Sequence, residues 1–489
     1  MSCFNISMVD TAVSLKIRIS GVWIVFLLSV FSPAAQPPQR DSACSAVSIP
    51  YEEVQPIAKA LKEAAPVELR RNEADVLAKA WPVWAARHST LAQERMTQGD
   101  EDTLANLIIF GTSFTAQPRF TQSDIGPLAR KVFDARLDDF IRALEAPGTN
   151  DRLVYMRWLL ESKGHSLSST AGRAKLRQYL IANLLRMLRE QQGYEKALEE
   201  ARRSGNPDAM FAASETRYRT RGLSVDTALF PNYAVEEALK AMRTRGLLKD
   251  VKRVAVIGPG LDFADKQGGY DFYPEQTLQP FALIDSLVRI GPSQAGKLDV
   301  TAMDISPHVI SHLAAARRRA KRGTPYVVQL PRDLNSSWKP GTIAFWEQFG
   351  RQIGSPSKSS ALPRGISRLG MRAVSIRPEV VLSVTPCEMN IVLQRLNLPE
   401  AQKFDLIVAT NILVYYDFFE QSLAMANIAR MLKPSGFLVS NTGLIEFPGS
   451  PLNAVDYLKV DYWNDRPDVR EHIVWYRRAS DANSPGSAR

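Results

Sequence analysis

The sequence predicts an α/β fold with a doubly wound, mostly parallel sheet in its C-terminal half, preceded by an all-α region. After residue 248, short apolar runs alternate with amphipathic helical segments, as in βαβ units. Residues 51–246 instead carry apolar side chains at three- and four-residue spacing, which is typical of helices. Residues 457–478 hold two strand-like runs across a polar turn, which predicts an antiparallel hairpin at the end of the sheet.

Length and composition indicate a globular protein of two or three domains. The chain has 489 residues, of which 45% are hydrophobic and 23% are charged. Its formal net charge is +10, but the 61 basic and 51 acidic residues are mixed along most of the chain. Nucleic acid is therefore not a predicted partner.

The N-terminus has the pattern of a secretory leader. Lys16 and Arg18 precede an apolar run at 19–31, and small residues follow, with a suitable cleavage site near Ala35. We expect residues 1–35 to be a signal peptide, so that the mature chain is periplasmic or extracellular. The alternatives are an uncleaved membrane anchor through residues 19–35, with a membrane-anchored chain, or a start-site artefact, with a cytoplasmic one.

The cysteines and histidines predict neither a disulfide framework nor a metal site. Cys44 and Cys387 would remain after cleavage, and we expect them to be isolated thiols rather than a bridge. His308 and His312 stand four residues apart, but they lack the glutamate of a zinc-binding helix and a third ligand. Exposed histidines on a helix are the favoured interpretation of this pair.

The chain divides into a predicted α-helical domain at 41–246 and a predicted sheet domain at 247–479. A polar loop at 217–233 mixes Arg, Tyr and Asp, and either caps a neighbouring site or connects the domains along the surface. A segment at about 335–379 interrupts the alternation, with a short helix followed by a loop rich in Pro, Ser and Gly. We expect a solvated insertion, and the alternative is a basic arm that reaches an acidic substrate. Residues 480–489 are a predicted disordered tail. The predicted strands of the sheet domain are 251–257, 298–303, 404–410 and 436–440, and its predicted helices are 277–290, 307–322 and 418–432.

A glycine-rich turn at the end of the first strand predicts a ligand site. Gly258-Pro259-Gly260 allows a close approach of the backbone, because two of its residues have no side chain. Asp304 ends the next strand, where a carboxylate can accept hydrogen bonds from both ribose hydroxyls of an adenosine. This pair fits NAD and S-adenosylmethionine.

The residues after Gly260 favour S-adenosylmethionine. Dinucleotide binding requires a third glycine near a helix N-terminus, but Asp262 and Phe263 stand there. A sulfonium carries a positive charge and no phosphate, so acidic and aromatic neighbours suit it. We therefore expect residues 262–274 to close over the cofactor as a lid hinged at Gly268-Gly269. The acidic and aromatic residues concerned are Asp262, Asp265, Tyr270, Asp271 and Tyr273.

Four segments, in this order, resemble the motifs of the class I S-adenosylmethionine-dependent methyltransferases, which have a Rossmann-like sheet. The segments are VAVIGPG at 254–260, VTAMDIS at 300–306, FDLIVATNILVYYD at 404–417 and MLKPSGFLVS at 431–440. The resemblance spans residues 251–440 and does not include residues 41–245. Val256 departs from the family pattern, which has an acidic residue at this position.

The resemblance implies roles for individual residues. Gly258 and Gly260 would flank the methionine part of the cofactor, with Pro259 and Asp262 in the same loop. Asp304 would bind the ribose, and Ile305 would pack on the adenine.

Two acidic residues compete for the adenine amino group. Glu388 is preferred over Asp333 because it lies a short predicted helix before the fourth strand, and Met389 would then pack on the ring. Asn411 and Leu413 would line the face where the methyl group is transferred.

The predicted activity is therefore methyl transfer by direct displacement at the sulfonium methyl group. Tyr270, Asp271 and Tyr415 are the candidates for a general base, because they are expected to face the crevice. The sequence identifies no methyl acceptor. The alternatives are an NAD-dependent oxidoreductase and an exported binding protein that keeps the fold without the chemistry.

Overall fold

The computed structural model of the protein shows two compact units, Met1–Gln39 and Arg40–Arg489. The predicted cleavage site near Ala35 and the predicted tail at 480–489 lie outside the residues that the structure describes. The described residues are 6–9, 12–19, 22–29, 44–70, 74–119, 127–204, 221–262, 270–294, 296–363, 365–366, 368–447, 449–466 and 469–479.

The first unit is an antiparallel sheet of three strands, β1 (Ile6–Val9), β2 (Ala12–Ile19) and β3 (Val22–Ser29). Most of the apolar run at 19–31 lies in β3. Within the part of the chain that the structure describes, no helix is long and apolar enough to cross a membrane.

The second unit contains the remaining helices and strands of the described residues. Its helices are α1 (Tyr51–Leu61), α2 (Ala74–Phe110), α3 (Pro127–Glu145), α4 (Asp151–Ser162), α5 (Thr170–Ser204), α6 (Phe230–Thr244), α7 (Gln279–Ile290), α8 (Pro307–Lys321), α9 (Pro340–Gln348), α10 (Pro378–Leu382) and α11 (Phe418–Met431). Its strands are β4 (Ala46–Ser48), β5 (Asp226–Thr227), β6 (Arg253–Ile257), β7 (Leu261–Asp262), β8 (Asp299–Asp304), β9 (Tyr326–Asp333), β10 (Gly354–Ser357), β11 (Leu369–Ile376), β12 (Val384–Glu388), β13 (Gln394–Leu396), β14 (Phe404–Ala409), β15 (Leu432–Ser440), β16 (Leu452–Asp461) and β17 (Arg470–Arg478).

The main sheet confirms the predicted Rossmann-like architecture. Its strand order is β12-β8-β6-β14-β15-β17-β16. The strands from β12 to β15 are parallel, whereas β17 runs antiparallel to β15 and forms a terminal hairpin with β16. The chain proceeds from β6 to β8 on one side and returns to β14 on the other, which opens a crevice at the carboxyl ends of these strands.

Helices cover both faces of this sheet. On one face, α6, α7 and α8 share a core with β6 and β8. On the other face, the core joins α11 to residues Ile49–Ala58, which include most of α1. The connection from β12 to β14 contains no α-helix, only β13 and a short 3-10 turn. Helix α1, from the N-terminal part of the chain, thus covers the face of the sheet on which the β12–β14 connection contributes no α-helix.

A disulfide joins the same two parts of the chain. The antiparallel pairing of β4 with β13 brings Cys44 beside β12, where it is bonded to Cys387 with Cα atoms 5.4 Å apart. The expectation of two isolated thiols is therefore wrong. The two cysteines are 343 positions apart, so their spacing carried no information about the pairing.

The helices α2 to α5 build a core of their own, which includes Leu104, Phe140 and Leu176. The start of α2 belongs instead to the sheet, since Trp84 packs edge-on against Phe419 of α11 at 5.2 Å. The predicted insertion does contain a short helix, α9, but its remainder is not a solvated loop. Strand β11 pairs with β10 on one side and with β9 on the other in a separate antiparallel sheet, and Val374 and Ile376 of β11 are buried in the main core.

Candidate functional site

A cleft lies at the carboxyl ends of β6, β8, β12 and β14, as the strand order requires. Its empty space, mouth included, is 880 Å³. The predicted site residues that line it are Gly258, Gly260, Asp304, Ile305, Met389, Asn411 and Tyr415. Side chains from four strand ends therefore meet in one cavity.

The two glycines of the first turn are required by backbone geometry. Gly258 and Gly260 have φ values of +68° and +58°, in the left-handed region that glycine adopts without strain. A Cβ on Gly258 would lie 2.0 Å from Cδ1 of Ile412. A Cβ on Gly260 would lie 2.4 Å from the carbonyl oxygen of Val225. A larger residue at Gly260 would therefore clash with backbone, whereas at Gly258 it would require the side chain of Ile412 to move.

Asp304 is a buried carboxylate with few donors. Its side chain accepts hydrogen bonds from the backbone N–H of Ser306 at 2.8 Å and of Gly260 at 3.4 Å. Burial raises the pKa of Asp304 to about 6, against the lowering effect of these two bonds and of a third from the backbone N–H of Ile305. The bond to Ser306 closes the turn before α8, so Asp304 also has the local capping role that a strand-end carboxylate can play. Asp304 also lines the cleft.

The third strand ends beside Asp304. In the register of β12 with β8, Glu388 is opposite Asp304, and the N–H of Met389 donates to the carbonyl oxygen of Asp304 at 2.9 Å. Met389 lines the cleft, whereas Glu388 does not. The rival acid, Asp333, ends β9 in the separate sheet and lines a second cavity.

Beyond β14, the chain turns sharply at Asn411, which has a φ of +59°. Its N–H donates to Oδ1 of Asn441 at 2.7 Å, and Nδ2 of Asn441 donates back to Oδ1 of Asn411 at 2.6 Å. Tyr415 ends the following 3-10 turn, and its carbonyl oxygen accepts a bond from Arg95 of α2 at 2.9 Å. Leu413 is fully buried in the core and does not line the cleft.

The described residues of the acidic loop, Asp262 and 270–274, do not line this cleft, and Asp265 lies outside the described residues. Asp271 is 1% exposed, and its carboxylate accepts four hydrogen bonds from the backbone and hydroxyl groups of Thr112 and Ser113. The guanidinium of Arg152, in the first turn of α4, donates to the carbonyl oxygens of Asp262, Asp271 and Tyr273. The loop is therefore fastened to the helical region.

The structure thus corrects four sequence-based expectations at this loop. Asp271 and Tyr270 do not face the cleft, and Tyr270 lies against Arg119 at a second cavity. Asp262 is turned away as well, because its carboxylate accepts a bond from Gln276 at 2.7 Å. Pro259 does not line the cleft either. The predicted hinge, Gly268-Gly269, lies outside the described residues.

The cleft is covered instead by residues from the predicted helical domain. Residues 223–228 line it, together with Met96 of α2. Strand β5 pairs with β7, and the N–H of Leu261 donates to the carbonyl oxygen of Val225 at 2.7 Å. The sequence offered one indication of this segment, the polar loop at 217–233, for which a cap and a surface connection were both open.

The two histidines of α8 are half-buried and packed against other residues rather than exposed. His308 stacks on Tyr155 with ring centroids 3.6 Å apart and pairs with Glu275 at 2.9 Å. His312 is hydrogen-bonded to the hydroxyl of Tyr326 at 2.8 Å. The expectation of exposed helix histidines is wrong, because the helical region and β9 pack over this face of α8. In the described part of the chain, no group of three acidic, histidine or cysteine side chains is arranged to hold a metal ion.

Comparison with known proteins finds similarity among solved structures only. No protein-family model and no curated protein matches the chain. The chain is similar to N-methyltransferase NodS from Bradyrhizobium japonicum WM9, crystallised with S-adenosyl-L-homocysteine, at 15% identity and a TM-score of 0.24. That match covers 50% of this chain and 88% of the other. The magnesium protoporphyrin IX methyltransferase from Synechocystis PCC 6803, with bound SAM, matches at 11% identity and a TM-score of 0.25, over 50% of this chain and 79% of the other.

A third match extends further along the chain. The structure of MtNAS in complex with MTA and tNA covers 71% of this chain and 88% of its own, at 12% identity and a TM-score of 0.23. Identities this low concern the fold alone. That fold, as the strand order establishes independently, is a Rossmann-like α/β sheet with a terminal antiparallel hairpin.

Proposed function

We propose that this protein is an S-adenosylmethionine-dependent methyltransferase and that the cofactor binds in the cleft at the ends of β6, β8, β12 and β14. The observation that carries the proposal is the pairing of Asp304 with the Gly258–Gly260 turn. A carboxylate has about four acceptor sites, and the backbone N–H groups of Ser306, Gly260 and Ile305 leave acceptor capacity for a ligand beside the glycine turn. No third glycine is present to favour a dinucleotide.

In this proposal, each wall of the cleft holds one part of the cofactor. Asp304 accepts hydrogen bonds from the ribose hydroxyls, and Ile305 and Met389 pack against the adenine. The turn at Gly258 and Gly260 accommodates the methionine part. The predicted adenine contact of Glu388 is not part of this arrangement, since its side chain does not line the cleft.

The bound cofactor supplies an electrophilic methyl group on a positively charged sulfur. The residues of this chain position that group and exclude water. Asn411 is locked by its two bonds to Asn441, and Tyr415 is held through Arg95. Both are therefore preorganised to orient an acceptor, and positioning of this kind supplies much of the rate enhancement in a direct displacement. Tyr415 is the only one of the three base candidates that lines the cleft.

We also propose that the chain is exported. Stable disulfides are formed in oxidising compartments, and the Cys44–Cys387 bond supports such a location together with the leader-like N-terminus. Export favours a second candidate function, a binding protein that retains the cofactor cleft without catalysis, because S-adenosylmethionine is made in the cytosol.

Titration of the oxidised full-length chain with S-adenosylhomocysteine, by isothermal calorimetry, tests the cofactor assignment. Asp304→Asn should weaken binding about tenfold, since a bond between a charged acceptor and a hydroxyl contributes roughly 1.5–3 kcal/mol. Asp333→Asn, at a strand end in the other sheet, is the matched control and should bind like the unmodified chain. A folded chain that binds no S-adenosylhomocysteine at millimolar concentration contradicts the proposal, and binding of NAD instead would favour the oxidoreductase.

A further inference from the structure

One wall of the cleft is built by a segment that has no helix of its own. Met389 and Ile391 line the cleft directly after β12. Met389 is bonded to the sheet through Asp304, and the carbonyl oxygens of Ile391 and Val392 accept bonds from Asn427 of α11. Residues 389–393, here called the cleft wall, contain neither helix nor strand.

Residues 44–61, here called the N-terminal segment, hold both ends of the cleft wall. At one end, the disulfide joins Cys44 to Cys387. At the other end, the N–H of Ile49 donates to the carbonyl oxygen of Leu393 at 2.8 Å, and β4 pairs with β13. Further along, Arg395 makes two bonds to Glu53, at 2.8 and 2.9 Å.

Of these attachments, the disulfide is the strongest. Strand β4 has only three residues, two of which are exposed, and a pairing this short is marginal by itself. Cys387 is fully buried and lies two residues before Met389. The covalent bond therefore fixes the N-terminal segment directly beside the cleft.

We propose that the Cys44–Cys387 disulfide positions the cleft wall for the cofactor, so that reduction by a dithiol lowers cofactor affinity. This inference rests on the proposed function for the identity of the ligand. It assigns to the bond a role in binding, beyond its contribution to stability.

The reduction is a thiol–disulfide exchange. A thiolate of the dithiol attacks the sulfur of Cys44, which is partly exposed, and the S–S bond breaks. Its electron pair goes to Sγ of Cys387, which takes up a proton. The second thiol of the reductant then displaces Cys44 as a thiol, and the reductant leaves as a cyclic disulfide.

Once released, the N-terminal segment is still held by β4, by the bonds of Ile49 and Glu53 and by the packing of α1 against α11, but no longer by a covalent bond beside the cleft wall. If the wall then occupies its binding geometry only one-tenth of the time, the apparent dissociation constant for S-adenosylhomocysteine rises about tenfold. The Cys44→Ser chain should show the same weakened affinity and should not respond to reductant. Cys44 is the better site for substitution, because a hydroxyl at the fully buried position of Cys387 would disturb the core.

Two measurements test this inference on the full chain, before and after treatment with dithiothreitol. Hydrogen exchange followed by mass spectrometry reports on the amides of residues 387–393 without any ligand, and calorimetry reports the affinity for S-adenosylhomocysteine. Reduction should accelerate exchange in this segment and weaken binding in the unmodified chain only. Glu53→Gln, which weakens the same segment and leaves the disulfide intact, should lower the melting temperature and leave the affinity unchanged.

The outcomes separate the two proposals. Unchanged exchange at 387–393 after complete reduction overturns the positioning role, whether or not the cofactor binds. Faster exchange in a chain that fails to bind S-adenosylhomocysteine even when oxidised supports the role of the bond in the wall and refutes the proposed cofactor. An equal loss of affinity in Glu53→Gln and Cys44→Ser would mean that general destabilisation sets the affinity, and would also overturn the inference.

Discussion

Two polar loops meet at β7 and have opposite roles. The segment at 223–228 covers the cleft and pairs with β7 through β5. The loop that follows β7 carries more acidic and aromatic side chains, yet Tyr270, Asp271 and Tyr273 are buried and the loop is bonded to the helical region. The difference lies in the partners available to each loop. The second loop accepts hydrogen bonds from the guanidinium of Arg152 and from Thr112 and Ser113. The first loop instead packs closely against Gly260, which has no side chain.

This comparison indicates that the composition of a loop does not decide whether it covers a ligand or fixes two parts of the chain together. A carboxylate such as Asp271 is equally suited to a cationic ligand and to buried hydroxyl donors. Whether such a carboxylate binds a ligand or joins two parts of the chain depends on which donor the fold brings within hydrogen-bond distance of it.

The largest expected effect is on the buried loop. Arg152→Met should lower the free energy of unfolding by about 3 kcal/mol, because three buried carbonyl oxygens lose their donor together. Urea denaturation measures the loss. Arg157→Met, on the exposed side of the same helix, is the control and should change stability little. A loss no greater than that of the control would mean that Arg152 does not fasten the loop.

An intermediate effect is expected on the covering segment. Gly260→Ala should cost about 2 kcal/mol of stability, since its Cβ meets the carbonyl oxygen of Val225 and the φ of +58° is strained for alanine. Affinity for S-adenosylhomocysteine should fall as well, because the covering segment must move. Gly296→Ala has a similar φ of +80° and open space around it, so it should show the strain without the loss of affinity. Equal affinities in the two variants would show that the covering segment does not help to close the site.

The smallest effect concerns pH and separates the two aspartates. Asp304 has a pKa of about 6 because of its burial, so its charge is lost as the pH falls through 6. Affinity for S-adenosylhomocysteine should weaken below about pH 6, because a protonated carboxyl group accepts ribose hydroxyls less well. Calorimetry across this pH range should find that the affinity of the Asp304→Asn chain for S-adenosylhomocysteine does not change with pH. Asp271→Asn should keep the pH dependence although it destabilises the fold, and a loss of the pH dependence in that variant would contradict the assignment.

The same pKa has a consequence for stability with the opposite sign. Asp304 is ionised above about pH 4 when unfolded but only above about pH 6 when folded, so the folded chain binds more protons between these values. The contribution of Asp304 to stability is therefore present at low pH and is lost as the pH rises from about 4 to 6. In Asp304→Asn this component should disappear from the pH dependence of the melting temperature.

The sequence predicted those parts of the fold and site that depend on local pattern. Buried strands such as β6 and β14 are recognisable from four or five consecutive apolar residues, and Gly258, Gly260 and Asp304 sit at the strand ends where the pattern stops. The structure puts these residues on the cleft, together with Met389 and Asn411, which the resemblance indicated, and their binding roles stay predictions.

The parts that were missed depend on contacts between distant segments. Nothing near Cys44 indicates that β4 pairs with β13, and nothing near His308 indicates that Tyr155 stacks on it. Asp271 was expected to face the crevice. Its donors, Thr112 and Ser113, lie in a different part of the sequence, so no local pattern indicated them. A single sequence specifies such partners only through the complete fold.

The disulfide also has a consequence for the order in which the chain acquires its structure. Cys44 is synthesised 343 positions before Cys387, so the N-terminal segment must wait for nearly the whole chain before it can pair with β13. Contacts this distant in sequence form late, because closing a long loop costs entropy before any contact is gained. The surface of α11 that α1 covers stays exposed during that interval and is prone to associate with other chains. A chain that lacks residues 44–61 should keep this surface permanently open, and we expect such a truncation to aggregate rather than to yield an independent sheet domain.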